Sequence, residues 1–133
     1  MPIVIDGWNF IRNKRSDIDD TDGDALDSVK ALIGRLECFQ QKHNDPIIVV
    51  FDSRLEHLDT GHENDARLKV VATKNADAYI KKYIDKIAEP QRRNLRVISS
   101  DNSVYYYAKS AYATPLRSEE FWDMINRGQT LQR

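Results

Sequence analysis

Four short apolar runs constrain the fold of this chain more than any other feature. Residues 3–5 (Ile-Val-Ile), 47–51 (Ile-Ile-Val-Val-Phe), 68–72 (Leu-Lys-Val-Val-Ala) and 95–98 (Leu-Arg-Val-Ile) are rich in Val and Ile and alternate little. Such runs read as strands covered on both faces, the habit of parallel sheets. Helical patterns separate them. Leu26, Val29, Leu32, Ile33, Leu36 and Phe39 recur at three- and four-residue steps, which predicts an amphipathic helix over about residues 24–43, capped by Asp22 or Asp24. Ile80, Tyr83, Ile84 and Ile87 mark a second helix, stopped near Glu89-Pro90 because the residue before a proline disfavours helical geometry. A third helix is expected over 102–112, then a short fifth strand over 112–114 that ends at Pro115. Ser118 is expected to cap a last helix, with Glu119 and Glu120 set against its positive end, and the polar tail 127–133 to fray.

Strands alternating with helices imply right-handed crossovers and a doubly wound α/β sheet. The 133 residues suffice for one domain, expected over 1–133, and not for two independent cores. No run approaches the roughly 20 apolar residues of a membrane span. The first residues carry no basic segment ahead of an apolar one, so no secretory signal is expected. One cysteine, Cys38, excludes an internal disulfide framework and a cysteine zinc cage and suggests a reducing, cytoplasmic setting. With 20 Lys+Arg against 21 Asp+Glu, any nucleic-acid binding has to come from a local basic patch.

In an open parallel sheet, chemistry gathers outside the carboxyl ends of the strands, where strand order reverses. The first run ends in Asp6-Gly7-Trp8-Asn9, the second in Asp52-Ser53 and the fourth in Ser99-Ser100-Asp101-Asn102. The third leads into Thr73-Lys74-Asn75-Ala76-Asp77. Each aspartate alone reads as a helix cap or turn residue, Asp52 most readily. Together, carboxylates on one rim repel and raise one another's pKa unless a cation sits among them. Oxygen donors with no cysteine and few histidines suit Mg2+ or Mn2+ rather than zinc. Asp6, Asp77 and Asp101 are therefore candidate metal ligands and catalytic residues.

These segments carry a resemblance. The run from Ile3 through Asp6-Gly7-Trp8-Asn9 to Ile11 looks like the opening of NYN-domain proteins. Ile48-Val49-Val50-Phe51-Asp52, Ala76-Asp77-Ala78-Tyr79-Ile80 and Val97-Ile98-Ser99-Ser100-Asp101 resemble, in order, blocks of the YacP-like branch. The resemblance implies a three-layer, PIN-like (Rossmann-like) α/β fold with strand order 3-2-1-4-5. It also implies metal-dependent ribonuclease activity, endonucleolytic and set in translation or messenger-RNA decay, with single-stranded or messenger RNA as substrate and the ribosome as a possible partner. Carried over by position, Asp6, Asp77 and Asp101 form the acidic metal site for Mg2+ or Mn2+, and Asn9 supports it.

An acidic site needs cations to approach a polyanion. Arg12, Lys14, Arg15, Arg54, Lys74, Lys109 and Arg117 are available, although long basic side chains mostly solvate a surface. Arg12 and Lys74 lie nearest the motifs and join Asn9 and Asn102 as candidate substrate ligands. Trp8, Phe10 and the run Tyr105-Tyr106-Tyr107 are candidates for stacking unpaired bases, half or more of them expected in the core. The acidic run of Asp17, Asp19, Asp20, Asp22 and Asp24 is no calcium loop: aligning Gly23 to the loop glycine puts Ile18 first and Val29 twelfth, where acids are needed. His57, His62, Asp59 and Glu63 fall in a polar stretch and read as a loop, and Cys38 as a helix packing residue. A dehalogenase-like Asp-x-Asp is absent, since Trp8 stands two residues after Asp6. The rival reading is a module that binds RNA or a ribosomal partner without cutting it.

Overall fold

A computed structural model describes residues 1–18, 25–52 and 62–130, with the backbone alone for 128–130. The elements are β1 (Ile3–Asp6), α1 (Gly7–Ile11), α2 (Ala25–Gln40), β2 (Ile47–Asp52) and β3 (Leu68–Thr73). They continue as α3 (Ala76–Lys86), α4 (Glu89–Arg92), β4 (Arg96–Ile98), α5 (Asn102–Ser110), β5 (Thr114–Leu116) and α6 (Ser118–Thr130). All five strands pair in parallel, in the order β3-β2-β1-β4-β5. β1 is central, with Ile5 beside both Val49 and Ile98.

The unalternating runs find their explanation in two cores, one on each face of the sheet. Successive side chains of a strand point to opposite faces. Ile3 and Ile5 pack with Phe10, Leu32, Leu36, Phe121 and Trp122, under α1, α2 and α6. Val4 between them packs with Ile80, Ile84, Val97, Val104 and Ala108, under α3 and α5. Trp122 fastens α6 to α1: its ring stacks on Phe10 at 4.3 Å, and its Nε1 donates to the Phe10 carbonyl at 2.7 Å. No helix among the described residues is long and apolar enough to cross a membrane.

Local details depart from expectation. β5 runs over Thr114–Leu116, with Pro115 inside it rather than ending it. Thr114 N–H donates to Leu95 and the Leu116 carbonyl accepts from Ser99, so Pro115 occupies the position whose nitrogen faces away from β4, and no ladder bond is lost. α3 ends at Lys86, and Pro90 then opens the one-turn helix α4 instead of following a helix end, since the first turn tolerates a missing N–H. Ser118 is the first residue of α6 and not its cap: its buried hydroxyl donates to Asn9 Oδ1 at 2.8 Å, while the Arg117 carbonyl accepts from Glu120 and Phe121. α6 keeps its helical backbone through Thr130, beyond the expected start of fraying at 127, because Phe121, Trp122 and Ile125 anchor it. The proposed caps Asp22 and Asp24 lie outside the described residues, as do 131–133.

The outer margin of β3 is occupied by side chains. Asn64 Nδ2 donates to the Val70 carbonyl at 3.1 Å and its Oδ1 accepts from the Val70 N–H at 2.9 Å. Asp65 Oδ1 accepts from the Leu68 N–H at 2.9 Å, and His62 Nε2 lies 2.9 Å from the Leu68 carbonyl.

Candidate active site

With this strand order the winding of the sheet reverses between the parallel neighbours β1 and β4, and an open cleft of about 750 Å3 lies at their carboxyl ends. Asp6 ends β1, Asp52 ends β2, Asp77 and Glu119 occupy the first turns of α3 and α6, and Asp101 caps α5. All five acids line the cleft, together with Trp8, Asn9, Arg12, Asn13 and Lys14.

Asp6 is buried, 9% exposed, and although it precedes α1 its carboxylate makes no capping bond. Burial pushes its pKa up to about 6; the Ser99 hydroxyl, donating to Oδ2 at 3.1 Å, opposes this, and Asp77, Asp101 and Asp52 reinforce it. Asp77 is also raised, by burial first and then by Asp101, against the pull of Lys81. Asp101 fulfils the capping role, Oδ1 accepting from Ser103 N–H at 2.7 Å, while its own N–H donates to Ser99 Oγ at 3.1 Å. Ser99 therefore ties Asp6 and Asp101 together.

Asn9 is fixed from behind. Its Oδ1 accepts from the Ser100 N–H and the Ser118 hydroxyl, both at 2.8 Å. A backbone N–H can only donate, so that atom is the oxygen, and the amide nitrogen is the end left for the cleft. Ser100 Oγ donates to Glu119 at 2.6 Å, which with Lys14 and Arg117 nearby keeps the Glu119 carboxyl below its usual range.

The sequence-derived candidates divide. Asp6, Asp77, Asp101, Asn9 and Arg12 meet at the cleft. Lys74, exposed on the turn before α3, and Asn102, whose Oδ1 accepts from Arg117 at 2.9 Å, do not line it. Asp52 lines it although sequence favoured a structural role; its carbonyl accepts from Trp8 Nε1 at 2.8 Å. Glu119 suits the positive end of α6 and also lines the cleft; it lies just past the fifth strand, as the other acids lie at or past the ends of theirs. Arg15 pairs with Asp123 at 2.9 Å, and Phe10 is fully buried, so neither faces the cleft. Arg54, His57 and Asp59 lie outside the described residues.

Among the described residues no three His, Cys, Asp or Glu side chains form a ready-made metal cage. Magnesium needs none, because it keeps several waters and takes one or two carboxylates together with substrate phosphates. The carboxylates of Asp6, Asp52, Asp77 and Asp101 on one cleft are hard oxygen donors and fit such an ion in kind.

Residues 3–132 match the family model described as the YacP-like NYN domain. Among solved structures, the chain is similar to the crystal structure of Rae1 (YacP) from Bacillus subtilis, with 21% identity and a TM-score of 0.74 over 99% of this chain and 79% of that one. It is similar also to a tryptophan-to-leucine mutant of that protein, with 20% identity and a TM-score of 0.68 over 96% and 77%. At these identities the likeness is one of fold. No curated protein matches the chain.

Proposed function

The chain belongs to the YacP-like NYN domain family, and from that premise we propose that it is a metal-dependent endoribonuclease acting on single-stranded or messenger RNA in the cytoplasm. The observation that carries this reading is the convergence of Asp6, Asp77 and Asp101, with Asp52, on one cleft at the strand-order reversal. Asp6, Asp77 and Asp101 would hold Mg2+ or Mn2+, which when bound supplies an activated water and neutralises charge on the phosphate. Asn9 presents its amide N–H to a phosphate oxygen without adding charge. Arg12 and Lys14 bring positive charge to the mouth of the cleft, and Asp77, only half-buried, orients the attacking water. Ser99 fixes the spacing of Asp6 and Asp101 through its two hydrogen bonds. Lys74 and Asn102, outside the cleft, would meet the strand beyond the cleaved bond.

A second reading is a module that binds RNA or a ribosomal partner without cutting. Cleavage of a messenger RNA and of single-stranded DNA, with Mg2+ or Mn2+ and with EDTA, separates the two. Internal RNA cuts that vanish with EDTA, and in folded Asp6→Asn and Asp101→Asn variants, support the nuclease. Tight RNA binding without products supports the module, and cleavage unchanged in both variants refutes the site.

A further inference from the structure

Helix α5 starts directly after Asp101 and places aromatic rings one turn away, Tyr105 N–H donating to the Asp101 carbonyl at 2.9 Å. The rings of Tyr105 and Tyr106 meet edge to face at 5.2 Å. The Arg117 guanidinium lies 3.7 Å over Tyr105 and 5.6 Å from Tyr106. It is held there by Nη1, which donates to the Ser100 carbonyl at 3.1 Å and to Asn102 Oδ1 at 2.9 Å. The cation is thus bound to the residues on either side of Asp101 and stacked on an aromatic ring. Tyr106 is 53% exposed, one of three large apolar side chains that stand out to this degree among the described residues.

A surface tyrosine on a helix is ordinarily half-covered, and a surface arginine ordinarily ranges freely. Here the arginine is pinned by two hydrogen bonds and a ring, and the tyrosine beside it keeps its ring in solvent. A flat π surface next to a fixed positive charge suits an unpaired nucleobase whose phosphate is neutralised nearby. We infer that Tyr105, Tyr106 and Arg117 form a stacking platform, continuous with the cleft at Asp101, for an unpaired base of an RNA strand lying across the site. The inference rests on the ribonuclease reading and adds to it a place where single-strandedness is sensed. Paired bases cannot present their faces, so a duplex passes over the platform without engaging it. Arg117 gives the platform its charge, and Lys109, exposed one turn beyond Tyr105, extends it along α5.

Fluorescence anisotropy of a labelled, unstructured RNA 12-mer in EDTA tests this without cleavage. Tyr106→Ala should weaken binding about five- to 150-fold, the range of losing one stacked base, while Tyr106→Phe, which keeps the ring, binds as the wild type does. On the same strand held in a duplex, and on an abasic oligomer, Tyr106→Ala and wild type should bind alike. If the wild type binds the single strand and Tyr106→Ala binds it equally, or if the loss persists on the abasic oligomer, the platform is refuted and the ribonuclease reading stands. If the wild type neither binds nor cleaves RNA, both fall.

Discussion

Asparagine at position 6 should stabilise the protein at neutral pH even as it removes a proposed metal ligand. Asp6 has a folded-state pKa of about 6 against an ordinary value of 3.8, because it is buried among other acids. Below about pH 3.8 the carboxyl is protonated both folded and unfolded, and nothing is lost. Between about pH 3.8 and about 6 the fold retains a proton that the unfolded chain has released, so stability falls across that window and then levels off above it. The full loss is about 3 kcal/mol. Asparagine keeps an oxygen to accept from the Ser99 hydroxyl and replaces the charge with a donor facing acids. Recovering half to all of that loss means a rise of roughly 5–12 °C in melting temperature at this chain length. The assay is thermal unfolding of wild type and Asp6→Asn in EDTA from pH 4 to 8, with the two curves converging at the acid end. Magnesium should then narrow the gap, since an ion at ten times its dissociation constant adds about 1.4 kcal/mol to the form that binds it. Asp6→Asn melting at or below wild type at pH 7.5, with parallel pH curves, would refute the burial argument.

Ser99→Ala removes the hydrogen bond that holds the Asp6 pKa down and the partner of the Asp101 N–H. The acid-side transition in its stability curve should therefore move to higher pH, and the variant should be about 1–2 kcal/mol less stable at pH 7.5, read by chemical denaturation. Gly7→Ala should cost about 1–3 kcal/mol, because its methyl group would lie 2.5 Å from the buried Phe51 ring; an unchanged denaturation midpoint would contradict that contact. Tyr112, just past the Ala111 cap of α5, sits in the left-handed region at φ 67 and is 66% exposed. Tyr112→Gly should therefore raise stability by about 0.5–1 kcal/mol in the same assay.

The fold was largely legible because a parallel sheet leaves a plain trace: each strand must be apolar on both faces, and each chain turn past a strand must be polar. That trace led from the strand ends to Asp6, Asp77 and Asp101, which the structure brings to one cleft. What escaped depended on partners distant in sequence. Ser118 has the composition of a cap but spends its hydroxyl on Asn9, which is 109 positions away. Trp8 and Phe10 are alike as apolar aromatics, yet Phe10 is sealed beneath Trp122 while Trp8 borders the cleft. Pro115 reads as a strand terminator, and only its place at the margin of the sheet, nitrogen outward, lets the strand pass through it. Glu119 was obscured by its suitability for a helix N-terminus.

The amide of Asn64 has a consequence for how this protein keeps company. Open strand margins invite pairing with whatever extended backbone arrives, including another copy of the same chain. Here Asn64 answers Val70 with one donor and one acceptor, as an adjoining peptide would, and Asp65 and His62 do the same for Leu68. At the opposite margin, Pro115 has no N–H to offer. With both flanks blunted, growth of the sheet from molecule to molecule is discouraged at high concentration.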